Sequence, residues 1–130
     1  MRVFLDTNVW LSAIVFSGLC SELLASLYES EHDLLTSPLI QAETHDVLER
    51  KFARHQRASE NFDLLWGQAE CIEDVSEPAD DADARLVKAA SNAGATLFVT
   101  GDQRVLGWEA LGEVRIVSPR DAWRRLFMAG

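Results

Sequence analysis

The chain has 130 residues, 48% hydrophobic and 25% charged, which is the length of one domain (residues 1–130) and the composition of a globular protein, neither disordered nor collagen-like. Its two cysteines, Cys20 and Cys71, offer neither a disulfide framework nor metal-ligand spacing. No apolar run approaches the roughly 20 residues of a membrane span, so a cytoplasmic protein with no membrane partner is expected. A net charge of −9, from 12 basic and 21 acidic residues, excludes a protein that coats nucleic acid nonspecifically.

In chain order, Val3–Leu5 predicts a first strand that stops at Asp6, where a capped helix can begin. Leu19, Leu23, Leu24, Leu27 and Tyr28 have helical spacing after Gly18. Leu34 and Leu35 predict a short strand ended by Ser37-Pro38, with Pro38 suited to the first position of a helix running through Val47, Leu48 and Phe52. Phe62, Leu65, Trp66 and Ala69 mark another helix, and Ile72 with Val75 a short strand. After a loop around Pro78, Leu86, Val87, Ala90 and Ala93 form a helix that ends near Gly94. Leu97–Val99 is a strand stopping at Thr100-Gly101-Asp102. Val114, Ile116 and Val117 make the last strand, and Asp121–Met128 the last helix.

Strands that alternate with helices and lack internal polar alternation imply a parallel sheet covered on both faces, an α/β sandwich. In such sheets ligands bind beyond the carboxyl ends of the strands. Asp6 and Asp102 stand there by topology, since right-handed crossovers put all those ends on one edge. Asp83 opens a helix and joins them if a strand precedes its loop; Glu43 lies one to two turns into the helix after the second strand. Clustered carboxylates repel one another, and a hard divalent cation removes that conflict while binding phosphate oxygens and activating water. Each acid taken singly also fits a helix cap or a solvated position.

The segments VFLDTNVWLSAIVF, SPLIQAETHDVLERKF and DADARLVKAASNAGATLFVTGD together resemble the successive motifs of the PIN-domain family, in particular its VapC-like toxin components of toxin–antitoxin systems. The resemblance runs from residue 2 to about residue 105. It implies an α/β/α sandwich around a parallel sheet and a ribonuclease dependent on Mg2+ or Mn2+ that leaves a 5′-phosphate and a 3′-hydroxyl. It also implies catalytic, metal-binding roles for Asp6 (in DTN), Glu43 (in the element starting at Ser37), Asp83 and Asp102 (in TGD), with Asp81 in reserve for Asp83. Thr7, Asn8, Ser37 and Thr100 match polar residues that orient such carboxylates. RNA would be the substrate, and an antitoxin and a second copy of the chain the protein partners.

The segment 50–57 holds Arg50, Lys51, Arg54 and Arg57 and no acid; without it the net charge would be −13. These side chains, and Arg104, are candidates to guide the RNA backbone, or else a solvated face. The first helix, through Val9, Trp10, Leu11, Ala13, Ile14, Val15 and Phe16, is apolar almost all round and suits burial or an interface. Trp66 reads as core and Trp108 as the most exposed tryptophan; His32, His45 and His55 have no metal spacing. A phosphoacceptor receiver lacks its strand-end lysine here, because Lys51 and Lys88 fall in helices. An aspartyl phosphatase lacks its second Asp, replaced by Asn8, and a dinucleotide site lacks its glycines. The remaining alternative is a PIN fold that binds RNA or protein without cleaving.

Overall fold

The computed structural model describes residues 1–128. Six strands form one sheet, β1 (Arg2–Leu5), β2 (Asp33–Thr36), β3 (Glu70–Cys71), β4 (Leu97–Val99), β5 (Ala110–Leu111) and β6 (Val114–Val117), in the order β3-β2-β1-β4-β6-β5. All pairings are parallel except β5 with β6. The central strands β1 and β4 are buried on both faces, which explains their unbroken VFL and LFV runs. Their register sets Phe4 beside Phe98, the rings stacked with centroids 5.4 Å apart.

Helices α1 (Thr7–Val15), α2 (Leu19–Glu29), α3 (Pro38–Lys51) and α4 (Gln56–Trp66) pack on one another. The steps β1 to β2 and β2 to β3 move in one direction across the sheet, so right-handed crossovers keep these four helices on one face. The step from β3 back to β4 reverses direction and puts α5 (Ala82–Asn92) on the other, where it meets β5 and β6. The result is the α/β/α sandwich expected. Trp10 and Phe62, both fully buried, meet edge to face at 5.4 Å and join α1 to α4. No single described helix is long and apolar enough to cross a membrane.

Local chemistry sets the helix ends. Ser37 caps α3 and Pro38 occupies its first turn. Gly94, at φ +77°, takes the left-handed position after α5, with Ala95 N–H donating to Ala90 C=O at 2.9 Å.

Four expectations need correction. The strand expected at Ile72 and Val75 is instead the pair Glu70–Cys71; Ile72 N–H still donates to Thr36 C=O at 2.7 Å, and then the acidic chain leaves the edge. The helix expected to reach Ala69 stops at Trp66, because Gly67 caps it. The sheet is not purely parallel: Glu109 (φ 65°) and Gly112 (φ 60°) turn the chain into the antiparallel hairpin β5–β6. The last helix starts earlier, α7 (Pro119–Trp123), and continues as a π-helical turn over Arg124–Met128. A four-residue helix, α6 (Gln103–Leu106), follows Asp102.

Candidate active site

Leu5 and Val99 are register partners, so Asp6 and Thr100 leave adjacent strands side by side. Asp6 N–H donates to Val99 C=O at 2.9 Å, and Thr100 N–H to Val117 C=O at 3.0 Å. The Asp6 carboxylate is only 3% exposed. Its Oδ1 accepts from the Thr7 backbone N–H at 2.8 Å, and its Oδ2 from Thr100 Oγ1 at 2.7 Å and Asn8 Nδ2 at 3.2 Å. Asn8 Oδ1 accepts from Gly101 N–H at 2.8 Å, and Thr100 Oγ1 from Asp102 N–H at 3.1 Å. One network therefore locks the ends of β1 and β4 together around a carboxylate.

Thr7 Oγ1 donates to Glu43 Oε1 at 2.7 Å, bringing in α3. On that helix Ile40, Thr44 and Leu48 face the core, which leaves Glu43, Val47 and Arg50 along the adjoining flank. Asp6, Glu43 and Asp83 line one open cleft of about 320 Å3, together with Leu11, Val47 and Arg50. The loop after β3 returns Asp83 to this edge, pinned on the way by Asp74, which accepts from Leu39 N–H at 2.9 Å. Asp102 flanks the cleft beside Asp83 and caps α6, its Oδ1 accepting from Arg104 N–H at 2.8 Å and Val105 N–H at 3.3 Å.

Burial pushes the Asp6 pKa up to about 6, against the hydrogen bonds from Thr100 and Thr7; the charges of Asp83 and Glu43 push the same way as burial. Asp83 is also raised, by burial first and then by Asp102 and Asp81. Asp81 goes the other way, lowered by its hydrogen bond to Arg104 and by capping Ala84 N–H. Of the two crowded aspartates, Asp83 faces the cleft, whereas Asp81 holds the start of α5.

The remaining candidates are spread around this cluster. The Ser37 hydroxyl is turned to its own helix, accepting from Ile40 N–H at 3.5 Å, with no bond to a cleft acid. Arg50 is paired with Asp46 one turn back. Lys51 lies exposed at the end of α3. Arg54 and Arg57, with His55, Asn61 and Ile14, line a second open cleft of about 330 Å3. Leu11 in the acid cleft and Ile14 in the basic one are successive residues of one α1 face, so the two clefts follow each other along that helix. Arg104 bridges Asp81 and Asp83, and its guanidinium lies 4.9 Å from the centre of the Trp108 ring. Trp108 is 37% exposed and Trp66 half-buried. His45 bonds Asp63 on α4 at 2.6 Å, away from Glu43. Leu11 and Val47, read from the sequence only as helix positions, line the cleft at helical spacing from Thr7 and Glu43.

The donors facing the cleft are carboxylate oxygens, the chemistry of Mg2+ or Mn2+ rather than of a softer metal. Among the described residues no three His, Cys, Asp or Glu side chains already close on one point. Asp6, Glu43, Asp83 and Asp102 could hold a cation directly or through water.

No curated protein matches the chain. Among solved structures, a chain in the crystal structure of VapBC2 from Rickettsia felis bound to a DNA fragment from their promoter shares the fold, with a TM-score of 0.68 at 15% identity over 91% of this chain and 98% of that one. The PIN-domain family model matches residues 2–104, a span that takes in β1 to β4 and all four acids, and the chain belongs to the PIN-domain family.

Proposed function

We propose that this chain is a metal-dependent ribonuclease and the toxin half of a toxin–antitoxin pair, acting in the cytoplasm. The observation that carries the reading is the Asp6 carboxylate, buried at the sheet edge among further acids with its pKa raised to about 6. A group held at that electrostatic disadvantage is relieved by a divalent cation, and such groups cluster at catalytic sites. Family membership supports nuclease chemistry, and the structural neighbour, crystallised as VapBC2 on promoter DNA, supports an antitoxin as partner.

Asp6, Glu43, Asp83 and Asp102 would hold Mg2+ or Mn2+, which would supply Lewis acidity and an activated water for phosphodiester hydrolysis. The chain orients the ligands: Thr100, Asn8 and the Thr7 N–H fix Asp6, and the Thr7 hydroxyl fixes Glu43. The basic cleft at Arg54 and Arg57, next along α1, would take the RNA backbone, with Arg50 on the rim of the acid cleft and exposed Lys51 at the end of α3 adding to it. This concentrates cation on a chain that is otherwise acidic. Exposed Phe16, packed edge to face on Phe52 at 6.0 Å, and half-buried Ile14 and Val15 offer an apolar strip for an antitoxin or a second copy.

The test is cleavage of an RNA panel by wild type and Asp6→Asn with Mg2+ or Mn2+, beside an EDTA control. Cleavage lost in the variant and in EDTA is expected. Equal cleavage by both proteins would refute the assignment of the site. RNA binding without cleavage by either would put the binding-module reading in its place.

A further inference from the structure

Arg104 stands beside the acid cleft, paired with the cleft acid Asp83. Its backbone N–H is held by Asp102, so its stem rises from the acid cluster itself. Its Nη1 donates to Asp83 Oδ2 at 3.2 Å, its Nη2 donates to Asp81, and its plane lies over Trp108. A planar fork between two carboxylates and an aromatic face is a site for arginine rather than lysine. The two carboxylates differ in what else they do. Asp81 keeps Ala84 N–H whatever happens to the guanidinium, whereas Asp83 faces the cleft shared with Asp6 and Glu43.

We propose that Arg104 is the resident counter-ion of the acid cleft, and that a divalent cation loads by taking Asp83 away from it. This rests on the reading of the cleft as a metal site. Two cations cannot share the Asp83 oxygens without repulsion, so guanidinium and metal compete. The pair is half-exposed and therefore weak enough to yield. Asp81 and Trp108 still hold Arg104 after Asp83 has left, so the side chain shifts within the site instead of leaving it. Arg104 is thus a positioning residue: it offsets the charge of Asp83 before a cation binds, sets the affinity for the cation, and stays beside it afterwards.

The experiment is calorimetric titration of Mn2+ into wild type, Arg104→Gln, Arg104→Lys and Asp6→Asn, none of which requires turnover. A parallel Mg2+ titration follows the Trp108 indole and Arg104 Nε–H signals by NMR. Arg104→Gln should bind Mn2+ about fivefold tighter than wild type, and Arg104→Lys, which keeps the charge but loses the fork, should fall between the two, with both wild-type signals moving on Mg2+ addition. Equal or weaker binding by Arg104→Gln, or signals unmoved at saturation, would overturn the proposal. If that happens while wild type binds and Asp6→Asn does not, the metal site survives and only the role of Arg104 falls. If wild type binds no more Mn2+ than Asp6→Asn, both readings fall together.

Discussion

Replacing Asp6 by asparagine should stabilise the metal-free protein while disarming it. The folded-state pKa of Asp6 is raised from 3.8 to about 6, mainly by burial. The folded state therefore binds a proton more tightly than the unfolded chain, and stability falls as pH rises from about 4 to about 6. Above that window the charged form costs about 3 kcal/mol, at about 1.4 kcal/mol per pH unit. Asparagine carries no charge, but its amide meets donors at Thr100 and Asn8 that now serve Oδ2, a mismatch of about 1–2 kcal/mol. The net gain at pH 7.5 in EDTA is about 1–2 kcal/mol, or roughly 3–8 °C in Tm for a chain of this size. At pH 4, where wild-type Asp6 is largely protonated in the folded state, the gain disappears or reverses. Urea denaturation of both proteins at the two pH values measures this directly. A variant less stable than wild type at pH 7.5, or a gap that does not change with pH, would show that the buried charge is not where the strain of this fold resides. Added Mg2+ should then raise the Tm of wild type alone, by mass action on the folded state.

Thr100→Val removes the hydroxyl that donates to Asp6 and accepts from Asp102 N–H; Mn2+ titration should show roughly 10- to 100-fold weaker binding, the usual cost of losing such a support. Phe62→Ala empties a fully buried site beside Trp10 and His45, and should cost roughly 3–5 kcal/mol in urea denaturation. Arg54→Ser with Arg57→Ser should weaken RNA binding uniformly across sequences. The salt slope should fall by about one for each phosphate no longer neutralised, as filter binding at several salt concentrations would register.

Much of this architecture is legible in the residues. The runs VFL and LFV are apolar because both faces of β1 and β4 are covered, and each halts at a polar residue because the sheet edge is there. That alone brings Asp6 and Asp102 to one place. Glu43 follows from the phase of α3, whose core face is written in Ile40, Thr44 and Leu48. The strand β5 and helix α6 leave no such trace. Two and four residues are too few for any period, and the turn at Glu109 needs a positive φ that its residue type does not announce. The position of Arg104 is hidden for another reason. Its partners lie 21 and 23 residues away, and only the path of the loop before α5 decides that Asp81 and Asp83 arrive opposite it. Likewise Ser37, a polar residue at a strand end, reads as a support for the acids but spends its hydroxyl on its own helix.

The pairing of β1 with β4 has a consequence for how the chain is made. The Thr100 hydroxyl that fixes Asp6 leaves the ribosome 94 residues after it. At roughly 5–20 residues per second, the two are separated by roughly 5–20 seconds of synthesis. Until β4 takes its place beside β1, the first carboxylate has only its neighbours Thr7 and Asn8 to hold it, and lacks the Thr100 hydroxyl and the acid Asp102. Throughout that interval a nascent chain is without the assembled acid cleft. The cleft is completed by one late, long-range strand insertion, at the moment β1 gains its second neighbour in the sheet.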